Sequence, residues 1–277
     1  MSGLAGLLGQ PFLRYAFIAG AAIAAASGLT GYFVVLRSQV FTGDALSHVA
    51  FTGALAALAA GADLLAGLYG ACVLVALAMA VLGYRGRADD TVIGSVFAWI
   101  LGLGALFLSV YTTSSAGADG TSGVSVLFGT IFGLSAEQAL TDSVVAAGVC
   151  AVLIVIARPL LFASLDEAVA SARRVPVRVV GTVFLGLVGV TAAAATQAVG
   201  ALLLLGLLAA PAGAAQRLTA RPYRGMWLSA AIAILSVWLG LLIAYAAPRI
   251  PPSFGILAVA TVCYLVAIAF TVNGRPA

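Results

Sequence analysis

Nine stretches of about 20 mostly apolar residues, separated by short polar connections, dominate this sequence of 277 residues. The hydrocarbon core of a bilayer is roughly 30 Å thick, and about 20 helical residues are needed to cross it. Backbone groups in lipid must be hydrogen-bonded within their own segment, so each stretch should be a helix. We predict an all-α, polytopic membrane protein, a single transmembrane domain over residues 1–277 with eight or nine membrane-spanning helices. The predicted spans are residues 14–36, 43–61, 63–83, 92–111, 138–157, 178–196, 198–215, 226–246 and 254–271.

The low content of charged residues excludes a soluble globular domain of this length. Only 8% of the residues are charged and 63% are hydrophobic, whereas soluble domains have roughly 25% charged residues. Most of the surface must therefore face lipid. The net charge of +4 comes from arginines, since the chain has no lysine, and we take it to reflect membrane topology rather than nucleic-acid binding.

The arginines predict the orientation of the spans, because cytoplasmic loops are enriched in positive charge. Eleven fall on one side: Arg37, Arg85, Arg87, Arg158, Arg173, Arg174, Arg178, Arg217, Arg221, Arg224 and Arg275. Only Arg14 and Arg249 fall on the other side. The larger group, and with it the C-terminus, is predicted to be cytoplasmic. Of the acids, Asp63, Asp119, Glu137 and Asp142 are assigned to the outer side, and Asp89, Asp90, Asp166 and Glu167 to the inner side.

Asp44 belongs to neither set of acids, and it lies four residues before His48, the only histidine, in the stretch TGDALSHV. An ionisable residue in a span is by default a candidate functional residue. The spacing places both side chains on one helix face. A carboxylate and an imidazole suit Mn²⁺, Zn²⁺ or Fe²⁺, and two copies related by a two-fold axis would supply four ligands. Alternatively, Asp44 caps the second span, Ser47 helps to satisfy its first turn, and His48 is a hydrogen-bonding residue between helices.

Two connections are long. The outer one, residues 112–137, ends in a short apolar piece that we predict to be re-entrant or interfacial. The inner one, residues 158–177, contains Ser164 followed by Glu167, a capping-box pattern, with Asp166 suited to the same helix start. Pro176 should end this short helix, predicted at about 164–176. Such a cytoplasmic helix can dock another protein, or it can be an ordinary solvated loop helix.

No enzymatic motif is found. The sequence contains no HExxH, no GxSxG and no nucleotide-binding GxxxxGK[ST] loop. We therefore predict that the chain is not an enzyme and holds no permanent cofactor, so that any ATP-driven work depends on a partner.

Four stretches together resemble the metal-importing ABC permease family, the membrane subunits of bacterial manganese, zinc and iron(II) uptake systems. GLTGYFVVLRSQVFTGDALSHVAFTGALAAL (28–58) is similar to a family passage that ends in GDALSHA, with Val49 in place of the usual Ala. VLFGTIFGLS (126–135) and TQAVGALLLLGLLAAPAGAAQRLTAR (196–221) match two further elements. RPLLFASLDEAVASARRVPV (158–177) resembles the family's cytoplasmic coupling segment, although Ser164 and Leu165 precede Asp166 in place of the usual Phe, and Arg174 stands where Gly is usual.

The resemblance implies a permease dimer that works with two ATPase subunits and an extracytoplasmic metal-binding protein, in the bacterial cytoplasmic membrane. It implies that Asp44 and His48 are ligands on the path of the transported metal, a divalent cation that is substrate and not cofactor. It also implies that the segment containing Ser164, Asp166, Glu167, Arg173 and Arg174 contacts the ATPase. A proton-coupled secondary carrier that uses Asp44 and His48 as a relay is the alternative, although the inverted repeats common in such carriers are not found.

Overall fold

The computed structural model describes residues 10–83, 90–113, 129–201 and 204–273, with side chains up to residue 271. Arg85, Arg87, Asp89, Asp119 and Arg275 lie outside these ranges. Ten α-helices and one 3₁₀ turn, Ile131–Gly133, are found in the described ranges, and no strand. The helices are α1 (Pro11–Leu36), α2 (Val40–Ala59), α3 (Leu64–Leu82), α4 (Asp90–Thr113), α5 (Ala136–Leu165), α6 (Glu167–Ala172), α7 (Val177–Val199), α8 (Leu204–Leu218), α9 (Pro222–Ala246) and α10 (Pro252–Asn273).

The all-α fold is confirmed, and each of the nine predicted spans overlaps one helix over most of its length. Seven of these helices are long and apolar enough to cross a membrane: α1, α3, α4, α5, α7, α9 and α10. The eighth helix, α8, has only 15 residues. The 20 residues of α2 include Asp44 and His48, and these two polar side chains lower its hydropathy. Seven candidate spans among the described residues, with α2 and α8 beside them, are roughly consistent with the predicted eight or nine spans.

Among the seven candidate spans, α1 and α7 are the most deeply buried by the rest of the chain. Within α1 and α7, 72% and 67% of the central span is buried by the rest of the chain, compared with 17% in α4. The outer faces of helices such as α4 carry large exposed apolar side chains, among them Trp99 and Leu106, as expected for surfaces in lipid. The most extensive packing is between α1 and α9, where the Ser229 hydroxyl donates a hydrogen bond to the Gly28 carbonyl at 2.6 Å.

The helices α2 and α3 approach each other closely because glycines face each other. A Cβ atom on Gly53 would lie 2.5 Å from the Gly67 carbonyl oxygen, and a Cβ atom on Gly67 would lie 2.5 Å from the Gly53 carbonyl oxygen. Small residues at a helix–helix contact in a membrane allow backbones to pack directly. This contact fixes one side of the helix that carries Asp44 and His48.

On another side, α2 packs against α4. The Thr52 hydroxyl donates a hydrogen bond to the Ile100 carbonyl at 3.2 Å. Gly104, one turn further along α4, leaves room for the Thr52 side chain. The position of α4 relative to α2 is therefore set by a direct polar contact as well as by apolar packing.

The described end of the outer connection packs onto the bundle. Ile131 and Leu134 are buried, and the Thr130 amide donates to the Gln197 carbonyl at 3.2 Å. The predicted re-entrant piece extends into residues outside the described ranges, so its full course stays a prediction.

Candidate metal site

The turn between α1 and α2 sets the start of the helix that carries the candidate ligands. Ser38 has a positive φ of 55°, its amide donates to Val35, and the Gln39 amide donates to Val34. These are the two hydrogen bonds of a Schellman motif, which ends many helices. The chain therefore reverses within three residues, and α2 begins at Val40 with Gln39 at its N-cap position.

Asp44 does not cap this helix. It is the fifth residue of α2, one turn inside the first residue. The Ser47 hydroxyl donates to the Asp44 carbonyl at 2.6 Å and so does not accept from an amide of the first turn. The alternative in which Asp44 and Ser47 satisfy the helix start is therefore wrong, and the half-buried Asp44 carboxylate is left for another role.

His48 lies one turn after Asp44 and is also half-buried. Its imidazole packs against the Phe97 ring of α4, with ring centroids 5.2 Å apart and an interplanar angle of 64°. This edge-to-face arrangement is favourable for aromatic rings. The expected pair therefore exists on α2, and α4 supplies an aromatic side chain against the imidazole.

A cleft of about 260 Å³ opens beside Asp44. Its lining comes from the first halves of α2 and α4: Phe41, Asp44, Ala45, Asp90, Ile93, Gly94 and Phe97. Asp90, which the sequence placed in an inner loop, is exposed at the first residue of α4 and shares this cleft with Asp44. The two carboxylates give the mouth of the cleft a negative charge, which attracts cations.

One copy of the chain does not provide a complete metal site within the described residues. No group of three or more His, Cys, Asp or Glu side chains there is arranged to hold a metal ion. Asp44 and His48 offer one carboxylate and one imidazole, a mixed oxygen and nitrogen set of possible donors. Such a set suits borderline divalent metals when further ligands are added.

Asp142, grouped from the sequence with the acids of the outer side, is a second acid inside the bundle. It is the seventh residue of α5 and only 2% exposed. The Tyr69 hydroxyl of α3 donates to its Oδ1 at 3.3 Å, while Oδ2 has no hydrogen-bond partner among the described residues. The signal for this position was present, because Asp142 falls within the predicted span 138–157.

Arg37 is also in an unexpected position for a residue used to predict topology. Its side chain is 1% exposed. The guanidinium Nε donates to Gln39 Oε1 at 3.0 Å, and Cζ lies 5.5 Å from the centroid of the Phe184 ring. This cation–π contact joins the end of α1 to α7 and holds the turn that leads into α2.

The predicted coupling segment contains a shorter helix that begins later than expected. Helix α5 continues through Ser164 to Leu165, and the Ser164 hydroxyl donates to the Leu160 carbonyl at 2.6 Å. The capping box assigned to Ser164 and Glu167 is therefore wrong. Asp166 is the N-cap of α6, and its Oδ1 accepts from the Val169 amide at 2.9 Å. The reason is that the buried apolar residues Leu160 and Leu161 extend α5 beyond Arg158 and Pro159.

The end of α6 repeats the turn seen before α2. Arg174 has a positive φ of 59°, its amide donates to Ser171, and the Val175 amide donates to Ala170. This is again a Schellman motif, whose left-handed position usually holds glycine. The geometry explains why Gly is usual at this position of the resembled family. Pro176 was predicted to end α6, and this prediction is wrong. Pro176 is instead the N-cap residue of α7.

The charged residues of this segment lie at the surface. Asp166, Arg173 and Arg174 are exposed and Glu167 is half-buried. A cleft of about 440 Å³ runs beside α6, between the end of α5 and the start of α9, and is lined by Arg158, Leu161, Phe162, Leu165, Asp166, Val169, Pro222 and Tyr223. The structure therefore presents the segment as a mixed charged and apolar surface.

The sequence matches the model of a known protein family, described as the ABC 3 transport family, over residues 9–271. The chain belongs to this family. Its resemblance to ABC permeases, inferred from four stretches, is thereby confirmed. As a multi-pass membrane member of a transport family it is a transport subunit and not an enzyme.

Individual relatives of this ABC 3 chain carry more specific names. The manganese import system permease protein ScaB of Streptococcus parasanguinis is 29% identical over 238 residues, 84% of this chain and 82% of that protein. The chelated iron transport system membrane protein YfeC of Yersinia pestis is 28% identical over 235 residues, 83% and 78% of the two chains. A solved structure, PsaBC from Streptococcus pneumoniae in complex with Fab, is similar with a TM-score of 0.82 and 25% identity, covering 96% of this chain and 94% of the other.

Proposed function

We propose that this chain is the permease subunit of an ATP-binding-cassette importer that moves a divalent transition metal across the bacterial cytoplasmic membrane. The observation that carries the proposal is the placement of Asp44 and His48, one helical turn apart and half-buried on a helix of an apolar bundle. Burying an aspartate and a histidine inside a membrane bundle costs free energy, so such residues by default mark a functional site, and the chain belongs to a transport family.

The chemistry of the two side chains supports a borderline divalent ion. Carboxylate oxygen and imidazole nitrogen bind Mn²⁺, Fe²⁺ and Zn²⁺ more readily than they bind soft Cu⁺. The names of the relatives refer to manganese import and to iron, so Mn²⁺ is the first metal to test, followed by Fe²⁺ and Zn²⁺.

A dimer completes the proposed site. Each copy supplies one carboxylate and one imidazole, and a two-fold axis between the Asp44 faces of two α2 helices would bring four ligands together. A site shared between two copies of the chain can be closed or opened by a small rotation of one copy relative to the other. Alternating access then follows, with the metal exposed first to the outside and then to the cytoplasm.

The surface around α6 is the proposed contact with the ATPase subunits. The segment presents Asp166, Arg173 and Arg174 to solvent beside an apolar cleft, a composition typical of protein–protein contacts. ATP binding and hydrolysis by these partners would move α6, and an extracytoplasmic binding protein would deliver the metal. In the orientation predicted from the arginines, α6 and the C-terminus are cytoplasmic.

Replacing each ligand tests this function. His48→Ala and Asp44→Asn should reduce uptake of radioactive manganese by metal-starved cells to the level of cells without the transporter. The matched control is Asp63→Asn, which removes a carboxylate at the N-cap of α3 while asparagine still caps the helix. The control should transport normally, and the amount of assembled complex in the membrane should be equal in all variants.

Two results would overturn the proposal. Unchanged metal uptake in His48→Ala would show that the imidazole is not a ligand of the transported metal. Uptake that persists after deletion of the ATPase partner would favour the proton-coupled carrier instead.

A further inference from the structure

The orientation of the His48 imidazole depends on one aromatic contact. Within the described parts of the chain, this side chain makes no hydrogen bond, and its ring partner is Phe97 at 5.2 Å between centroids. A histidine that binds a metal is usually oriented by a second group that accepts a hydrogen bond from its other nitrogen. For His48, the contact that can orient the imidazole is instead the Phe97 ring of the neighbouring helix α4.

The frame that places Phe97 against His48 is well fixed. Thr52 lies one turn after His48 on α2, and Ile100 lies one turn after Phe97 on α4. The hydrogen bond from the Thr52 hydroxyl to the Ile100 carbonyl therefore lies one helical turn away from the aromatic contact, on the same pair of helices. Because this hydrogen bond joins the two helices one turn away, it keeps the backbone at Phe97 close to the backbone at His48.

Phe97 also borders the cleft beside Asp44. The ring is part of the lining of this cleft together with Asp44, whereas His48 is not among its lining residues. A single side chain thus contacts the imidazole and borders the space beside the carboxylate.

We propose that Phe97 is the positioning residue of the metal site, which orients the His48 imidazole before the ion arrives. The inference rests on the proposed function, in which His48 is a ligand. Phe97 contributes no ligand atom itself. It limits the rotation of the imidazole, so that less conformational freedom is lost when the metal binds.

The single histidine of the chain makes the test direct. Histidine labelled with ¹⁵N and ¹³C, incorporated into the full chain assembled with its ATPase partner, gives NMR signals from His48 alone. In the wild type, the edge-to-face ring should shift the imidazole carbon-bound protons, and added Mn²⁺ should broaden them. The Mn²⁺ concentration that produces half of the broadening measures the affinity.

Phe97→Ala should remove the ring-current shift and weaken Mn²⁺ binding by about five-fold, in the range expected for an edge-to-face pair. Phe97→Tyr retains the ring and should restore both properties. The matched control is Trp99→Ala on the same helix, since the Trp99 side chain is exposed and should affect neither. If Phe97→Ala does not fold, Phe97→Leu keeps an apolar side chain without a ring and should show the same weakening.

Wild-type affinity in Phe97→Ala or Phe97→Leu would overturn the inference, as would an equal loss in Phe97→Tyr. A failure of the proposed function is distinguishable from these outcomes. If Mn²⁺, Fe²⁺ and Zn²⁺ leave the His48 signals of the wild-type complex unchanged, the ligand role of His48 is wrong and the positioning role is overturned with it.

Discussion

One Schellman motif precedes α2 and another follows the short helix α6, yet the two helices lie in different surroundings. Helix α2 is packed against α3, α4 and α7, and Asp44 and His48 are half-buried on it. Helix α6 has six residues, contacts mainly α5 and α7, and leaves Asp166 and Arg173 exposed. Neighbouring helices therefore hold α2 in place, whereas the order of α6 depends mainly on the hydrogen bonds at its two ends.

This difference indicates where substitutions should have large effects. Filling space beside α2 should damage the fold itself, because close backbone contacts cannot adjust cheaply. Changes in α6 should alter local order by the small free energies of caps and turns. Three sets of variants, from the largest expected effect to the smallest, test the contrast.

Gly53→Ala should have the largest effect. Its Cβ atom would lie 2.5 Å from the Gly67 carbonyl oxygen of α3, and such overpacking costs roughly 2–3 kcal/mol of unfolding free energy. Thermal unfolding of the purified protein should show a clear drop in midpoint temperature. Gly70→Ala is the matched control, because nothing lies within 4 Å of a Cβ atom there; equal stability of the two variants would contradict the close contact.

Asp166→Ala should have a smaller, local effect. Loss of the hydrogen bond to the Val169 amide costs about 1 kcal/mol at an N-cap, enough to fray a helix of six residues. Hydrogen exchange of the amides in 167–175 should become faster, and stimulation of the ATPase partner should fall. Asp166→Asn keeps the cap and should behave as the wild type; a loss of the same size in Asp166→Asn would show that charge, and not capping, matters here.

Arg174→Gly should have the smallest effect and the opposite sign. Residues other than glycine are strained at a φ of 59°, so glycine should stabilise the turn by about 0.5–1 kcal/mol, measured as slower hydrogen exchange at Val175. Arg173→Gly removes the same charge at a residue with φ of −85°, where glycine gives no relief. If both variants change exchange equally, the effect arises from charge rather than from backbone conformation.

Helix positions could be predicted from the sequence because the membrane imposes a length and a composition on every span. All nine predicted spans overlap helices for this reason. The ends were less accurate. Arg158 and Pro159 suggested that the fifth span ends at residue 157, but α5 continues to Leu165, since Leu160 and Leu161 still find a buried face.

The placement of Asp44 and His48 on one helix could be predicted as well, because both are conspicuous in an apolar stretch and their spacing matches one helical turn; their role as ligands stays a proposal. The contact of His48 with Phe97 could not be predicted from the sequence. Phe97 lies 49 residues after His48, and one phenylalanine among the apolar residues of α4 has no distinguishing pattern. Such contacts follow from tertiary packing, which local periodicity does not report.

The length of α5 has a mechanical consequence. Its 30 residues span about 45 Å at 1.5 Å per residue, so it exceeds the roughly 30 Å hydrocarbon core by several turns. Pro159 lies where this extra length begins, and proline removes the hydrogen bond that would otherwise stiffen the helix at that turn. If α6 moves with the ATPase partner as proposed, the displacement reaches the membrane-spanning part of α5 through a turn that lacks one backbone hydrogen bond.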